Sequence, residues 1–143
     1  MVQETRDQDV ILSVLDRHRD IIGGFDLTSW ISDKNNLAFV DDIGNIGLLE
    51  YDSPGLYNSH MFFVSRGREA INKAIEMIGY AFEHCPVQVM RGYTDVSNRA
   101  ARWIDRQLGY TSYGVLSTLN PPCELFILTK KEFEAKHGQS PRQ

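Results

Sequence analysis

The sequence predicts one domain of the α+β or α/β class, built on a mixed sheet. Two patterns lead there: short apolar runs broken by turn residues come first, as in an antiparallel meander, and helical and extended stretches alternate after them. The length is the third observation. A chain of 143 residues with 42% hydrophobic content suffices for one sizeable core and leaves little for a second. The domain is assigned to residues 1–138, and the polar "QSPRQ" of 139–143 to a flexible tail.

Val10, Ile11, Val14, Leu15, His18, Ile21 and Ile22 share one helical face, and Gly23-Gly24 supplies the stop. A short second helix fits "FDLTSWIS", with Asp26 as cap and Leu27, Trp30 and Ile31 inward. The meander follows: "NLAFV", a turn at Asp41 to Gly44, "NIGLLEY", a turn at "DSPG", then "LYNSHMFFV". From Arg68 to His84 the period becomes helical, through Ala70, Ile71, Ala74, Ile75, Ile78, Ala81 and Phe82. Pro86 ends that helix and "VQVM" resumes as a strand. "VSNRAARWIDRQLGY" is a compact helix with Ala101, Ile104 and Leu108 on one face and Gly109 at the left-handed cap position. Strands around "SYGVLSTL" and "CELFILT" close the sheet. Thr129 and Glu132 have capping-box spacing for a last helix, "KKEFEAKH".

The bulk numbers exclude several classes. No apolar run approaches the roughly 20 residues that span a bilayer, and the polar start "MVQETRDQDV" is unlike a signal peptide, so the expected location is cytoplasmic. Cys85 and Cys123 form no C-x-x-C pair, which leaves two idle thiols and no metal site. A net charge of −4 argues against nucleic-acid binding and favours cationic partners or substrates.

The chemistry concentrates in "VSRGREAINKAI", Val64 to Ile75. A strand feeding a Gly-containing turn into a helix leaves N–H groups unpaired at the positive end of the helix dipole, which attracts anions. Arg66 and Arg68 add guanidinium groups suited to phosphate, and Gly67 admits a ligand close to the backbone. A solvated helix start with two surface arginines is the plain alternative.

"NRAARWIDRQLGY", Asn98 to Tyr110, resembles the motif of GNAT-type N-acetyltransferases, matching at Asn98, Ala101, Leu108, Gly109 and Tyr110. The resemblance covers nearly the whole chain, including a short strand at "MVQE", and the small size is similar to stand-alone, bacteriophage-encoded GNAT-like proteins. It implies a GNAT fold: a mostly antiparallel sheet of about six to seven strands, flanked by helices and split in a V between the strand ending near Val64 and the strand at Val87 to Met90. It implies acetyl-CoA as cofactor, its pantetheine arm on the backbone of Phe62, Phe63 and Val64. The pyrophosphate would lie on the N–H groups of Arg66, Gly67, Arg68, Glu69 and Ala70. Asn98 and Ala101 would lie near the pantetheine or thioester, with Arg99 or Arg102 toward the adenosine phosphate. Asn98 is equally an N-cap by type, and Arg99, Arg102 and Arg106 read equally as a solvated face.

The sequence departs from the family pattern Arg/Gln-x-x-Gly-x-Gly/Ala in the loop. With Arg66 first, Glu69 stands where Gly is expected and Ile71 where Gly or Ala is expected. Seven residues after Asn98, where the family's general acid is a Tyr, stands Asp105, a poor proton donor at neutral pH unless its pKa is raised. Tyr110 is the substitute acid, with Tyr113 also near in sequence. His60 and Glu50 are the candidate bases for the acceptor ammonium; otherwise they are a half-buried strand residue and a solvated strand end. Tyr51, Tyr57, Phe62, Phe63 and Tyr93 either wall a substrate pocket or pack the core. The implied activity is acetyl transfer from acetyl-CoA to an amine on a protein or small molecule. The alternative is a catalytically impaired GNAT-like protein that binds another protein, a host factor in the phage case. The sequence leaves the oligomeric state open, a dimer included.

Overall fold

The computed structural model describes residues 2–18 and 27–138. The expectations for Ile21, Ile22, the Gly23-Gly24 stop, the Asp26 cap, the Leu27 side chain and the 139–143 tail lie outside the described residues. Among them run β1 (Gln3–Thr5), α1 (Gln8–Leu15) with a 3₁₀ turn Asp16–His18, α2 (Leu27–Ser32), β2 (Leu37–Val40), β3 (Ile46–Ser53) and β4 (Leu56–Phe62). Then come α3 (Gly67–His84), β5 (Val89–Asp95), α4 (Arg99–Leu108), β6 (Thr111–Leu116), β7 (Cys123–Thr129) and α5 (Lys130–His137).

Seven strands form one sheet in the order β1-β2-β3-β4-β5-β7-β6. Every pairing is antiparallel except β4 with β5. That parallel pair extends only over Leu56↔Val89, Tyr57↔Met90 and Asn58↔Arg91. Beyond it β4 runs on to Phe62 beside β3, and β5 runs on to Asp95 beside β7, so a V opens in the middle of the sheet.

Alternation along the strands builds two cores. On one face Tyr57, Met90, Phe126 and Leu128 pack under α3, α4 and α5, joined by Ile71, Ile78, Phe82, Leu108 and Phe133. On the other, Ala38, Val40, Ile46 and Leu48 pack with Ile11, Leu15 and Trp30 from α1 and α2. Burial of these apolar side chains is the main stabilising term, on the order of 2 kcal/mol for each large one.

Local signals behave as their chemistry requires. The Asp7 side chain caps α1 through the N–H groups of Asp9 and Val10, and Asn98 caps α4 through Ala101 N–H. Gly109 ends α4 at φ 106°, a conformation disfavoured for side chains with a Cβ. Thr129 and Glu132 form the capping box of α5 in both directions.

Three expectations are corrected. Val10 is 38% exposed rather than inward. The α-helical geometry of α1 stops at Leu15 and tightens to 3₁₀. The strand expected at Val87 to Met90 runs instead from Val89 to Asp95, because the N–H groups of Gln88 and Val89 both bond Gly55 O and β7 then pairs with all seven residues. Among the described residues no helix is long and apolar enough to cross a membrane, and no group of three or more His, Cys, Asp or Glu could hold a metal ion.

Candidate functional site

The V is the candidate site, and its apex is polar. Ser59 is the first β4 residue past the parallel pairs, and its hydroxyl lies 3.2 Å from Tyr110 Oη and 3.3 Å from Arg91 O, to which it donates. Tyr110 is buried on the α3/α4 face, and burial pushes its phenol further up, so the hydroxyl stays protonated.

At the mouth, residues 63–66 carry the chain from β4 into α3. Asn45, fully buried in the β2–β3 turn, reaches across: its Oδ1 accepts from Val64 N–H (2.8 Å) and Ser65 N–H (3.1 Å). Its Nδ2 donates to Ser65 Oγ (3.0 Å) and to Asp41 Oδ2 (2.8 Å). Burial acts to raise the Asp41 carboxyl, but N–H bonds from Asn45, Gly44 and Ile43 hold it below its usual range. Arg66 folds its guanidinium onto the carbonyls of Phe63 (2.9 Å), Val64 (3.2 Å) and Ser65 (3.3 Å).

The α3 N-terminus has no side-chain cap, so its first N–H groups stay available at the positive end of an 18-residue helix. Ala70 N–H is already taken by Arg66 O. Gly67 sits at φ 56°, in the left-handed region, and a Cβ there would meet nothing within 4 Å. Arg68 and Glu69 are exposed, and Glu69 forms no ion pair with Arg66 or Arg68.

Helix α4 lies along the other arm. Asn98 is exposed, its Oδ1 committed to Ala101 N–H at 3.0 Å, and Ala101 is half-buried behind it. Arg102 and Arg106 are not a solvated face, because both converge on Glu124 of β7. Arg102 Nε lies 2.8 Å from Oε1, Arg106 lies 2.6 Å from Oε2, and the Ser112 hydroxyl donates to the same oxygen. Burial would raise the Glu124 carboxyl, but the Ser112 and Arg102 bonds and the two guanidinium charges hold it down. Arg99 is exposed.

Asp105, one α4 turn before Gly109, accepts from Thr94 Oγ1 at 2.7 Å, and Thr94 lies on the part of β5 that has left β4. Burial pushes its carboxyl up to about 6, against the lowering influence of the Thr94 bond and of Arg106.

His60 and Glu50 occupy the opposite face of the sheet, the one carrying Leu48 and Ile46. His60 Nε2 and Glu50 Oε1 are 3.5 Å apart and half exposed. Beside them Arg91 Nε donates to Asn58 Oδ1 (2.8 Å) and its NH2 to Asp52 Oδ1 (3.1 Å). Of the aromatic set, Tyr51, Tyr57 and Phe63 pack into the α3-side core, while Phe62 packs on the α1-side core and Tyr93 is 50% exposed.

Two groups thus face each other through the sheet: Tyr110, Asp105 and the α3 mouth on one side, Glu50 and His60 on the other. Asn45 and Glu124 were not expected from the sequence. Glu124 had a signal, since it shares the period-two face of Phe126 and Leu128 and is therefore an inward charge in need of partners.

No protein-family model matches the chain, and no curated protein matches it. Solved structures do. The spermidine N-acetyltransferase of Vibrio cholerae in complex with CoA and spermine aligns at TM-score 0.72 and 12% identity, covering 93% of this chain and 96% of that one. The aminoglycoside acetyltransferase AAC(6')-Ib in complex with coenzyme A aligns at 0.66 and 13%, covering 94% and 98%. A GNAT-family acetyltransferase from Bacillus cereus aligns at 0.65 and 21%, covering 91% and 98%. With its V between β4 and β5 and its likeness over nine-tenths of these chains, the protein has the GNAT fold.

Proposed function

We propose that the protein transfers an acetyl group from acetyl-CoA to an amine acceptor. The parting of β4 and β5 at the end where the uncapped α3 begins carries this reading, because one opening then offers both a slot for an extended thioester arm and a cradle for its phosphates. The residues present fit an anion at Gly67 to Glu69: free N–H groups, open space beside Gly67, and the Arg68 guanidinium. Arg66 joins them by swinging off the loop carbonyls. Val64 and Ala70 donate elsewhere, so strand-like pairing with the pantetheine falls to Phe62 and Phe63. Asn98 keeps its amide N–H₂ for the cofactor while its oxygen caps α4. Ala101 gives the close approach, and Arg102 is held in reserve by Glu124. Glu69 turns to solvent, which limits its repulsion of phosphate.

An ammonium must lose a proton before its nitrogen can attack, and the Glu50–His60 pair on the far face is the base, directly or through water. The nitrogen then bonds the acetyl carbon, the C–S bond breaks, and the departing thiolate takes a proton. We assign that proton to Asp105. A carboxyl near 6 exchanges protons close to neutral pH, whereas the buried Tyr110 phenol resists ionisation and serves at the apex through Ser59. Amines are supported as acceptors by spermine and kanamycin, which occupy the Vibrio cholerae and a second AAC(6')-Ib structure.

Thermal denaturation with acetyl-CoA tests the reading. At about 100 times Kd, binding should add roughly 2.7 kcal/mol. No shift at millimolar cofactor would return the chain to the protein-binding alternative. Spermine and kanamycin serve as first acceptor probes in a thiol-release assay.

A further inference from the structure

We infer that Asn45 is a positioning residue for the cofactor loop, a buried strap that fixes where the first N–H groups of α3 point. This rests on the loop serving acetyl-CoA, as proposed above. Among the described residues the link of residues 63–66 has no ladder partner on either side; Phe63 anchors it in the core by packing, and the exposed Arg66 folds onto its carbonyls. Asn45 provides what the link lacks. All four bonding positions of its amide are used: two N–H groups accepted from Val64 and Ser65, two donated to Ser65 Oγ and Asp41.

The far end of the strap is itself anchored. Asp41 Oδ1 accepts from the N–H groups of Ile43, Gly44 and Asn45 at 2.9 to 3.0 Å. From the α1 side, a His18 ring nitrogen meets Gly44 O at 3.1 Å and Arg17 NH1 donates to Ile43 O at 2.9 Å. The strap thus ties the cofactor mouth to the end of α1, across the sheet. Among the described residues Asn45 Oδ1 is the acceptor for the N–H groups of Val64 and of buried Ser65, so removing it leaves those donors to find water by moving the loop.

The test uses the full chain, CoA calorimetry, thermal denaturation and amide hydrogen exchange of residues 63–70. Asn45→Ala should weaken CoA by about tenfold, the equivalent of about 1.4 kcal/mol, and strip protection from the Val64 and Ser65 amides. Asn36→Ala is the control. Asn36 is equally buried, donates to Trp30 O and accepts from Tyr51 N–H at the opposite end of β2, so its loss should lower Tm and leave CoA affinity within about twofold. The exchanged pair Asp41→Asn/Asn45→Asp keeps the count of donors and acceptors and should restore affinity toward wild type. Where Asn45→Ala does not fold, Asn45→Asp alone, which opposes two carboxylates, is measured instead and should weaken CoA. The inference is overturned if Asn45 variants lower Tm while CoA affinity and loop exchange stay as in wild type. A wild type that binds no CoA refutes the acetyl-transfer reading separately. The exchange at Val64 and Ser65 then judges the strap alone, and unchanged protection in Asn45→Ala overturns it.

Discussion

Replacing Asp105 with Asn should stabilise the protein at alkaline pH and, on the proposed mechanism, disable acetyl transfer. Asp105 is raised from 3.8 to about 6 because it is largely buried between α4, which carries it, and β5. A raised carboxyl binds its proton more tightly folded than unfolded, so its contribution to stability is full below the unfolded value and is lost as pH rises through the folded one. Between those two values the folded state loses proton-linked stability at about 1.36 kcal/mol per pH step, so the ionised wild type forgoes about 3 kcal/mol above pH ~6. Asparagine is neutral throughout and its oxygen still accepts from Thr94. The variant should therefore be more stable by up to about 3 kcal/mol near pH 8 and by close to nothing near pH 4, read from urea midpoints with unchanged slopes. Arg106, Glu124 and Tyr110 stand around this group and are the same in both proteins, so the difference isolates Asp105. On the proposed mechanism kcat falls by about 10²-fold or more. A stability difference that is equal at both pH values would refute the buried-carboxyl argument, and an unchanged kcat would refute the acid assignment.

Glu124→Gln should cost about 1–3 kcal/mol, since two guanidinium groups lose the carboxylate charge and one accepting oxygen becomes an N–H₂ donor, while both arginines remain partly solvated. Glu124 lies below its usual range, so its contribution exists above the unfolded value and fades as pH falls; wild type and variant should converge on acidification, and parallel denaturation profiles would contradict this. Phe126→Ala removes a fully buried ring that meets Tyr110 edge-on at 6.5 Å and carries Arg106 at 5.2 Å, and should cost about 3–5 kcal/mol in urea denaturation. Asn98→Ala should cost about 1 kcal/mol as a lost cap and also weaken CoA; unchanged CoA affinity in calorimetry would move the cofactor away from α4.

The elements were legible because their signals are local. Apolar runs broken at Asp41–Gly44 and Pro54-Gly55 marked β2, β3 and β4, and the Ala70 to Phe82 spacing marked α3 within one residue. The cap residues Asn98, Gly109 and Thr129 act where their chemistry wants them. What stayed hidden depends on partners distant in sequence. Asn45 reads as the first residue of a strand until Ser65, twenty residues on, takes its amide, and Arg102 reads as solvated until Glu124 is beneath it. The extension of β5 to Asp95 is fixed by β7 rather than by its own composition, since "RGYTD" has no strong apolar period. The raised proton affinity of Asp105 was hidden too, because its environment, not its type, sets it.

Strand β4 makes the two sides of the sheet chemically different by parity alone. Tyr57, Ser59 and Met61 belong to one side, Asn58, His60 and Phe62 to the other. Sliding β4 by a single residue would keep every backbone bond type yet carry His60 under α3 and turn Ser59 away from Tyr110. The irregular step between Tyr51 and Ser53 sets that phase just before the strand begins. The hairpin therefore encodes more than a reversal of direction: it stores, as a count of one residue, which face of the sheet each side chain is addressed to.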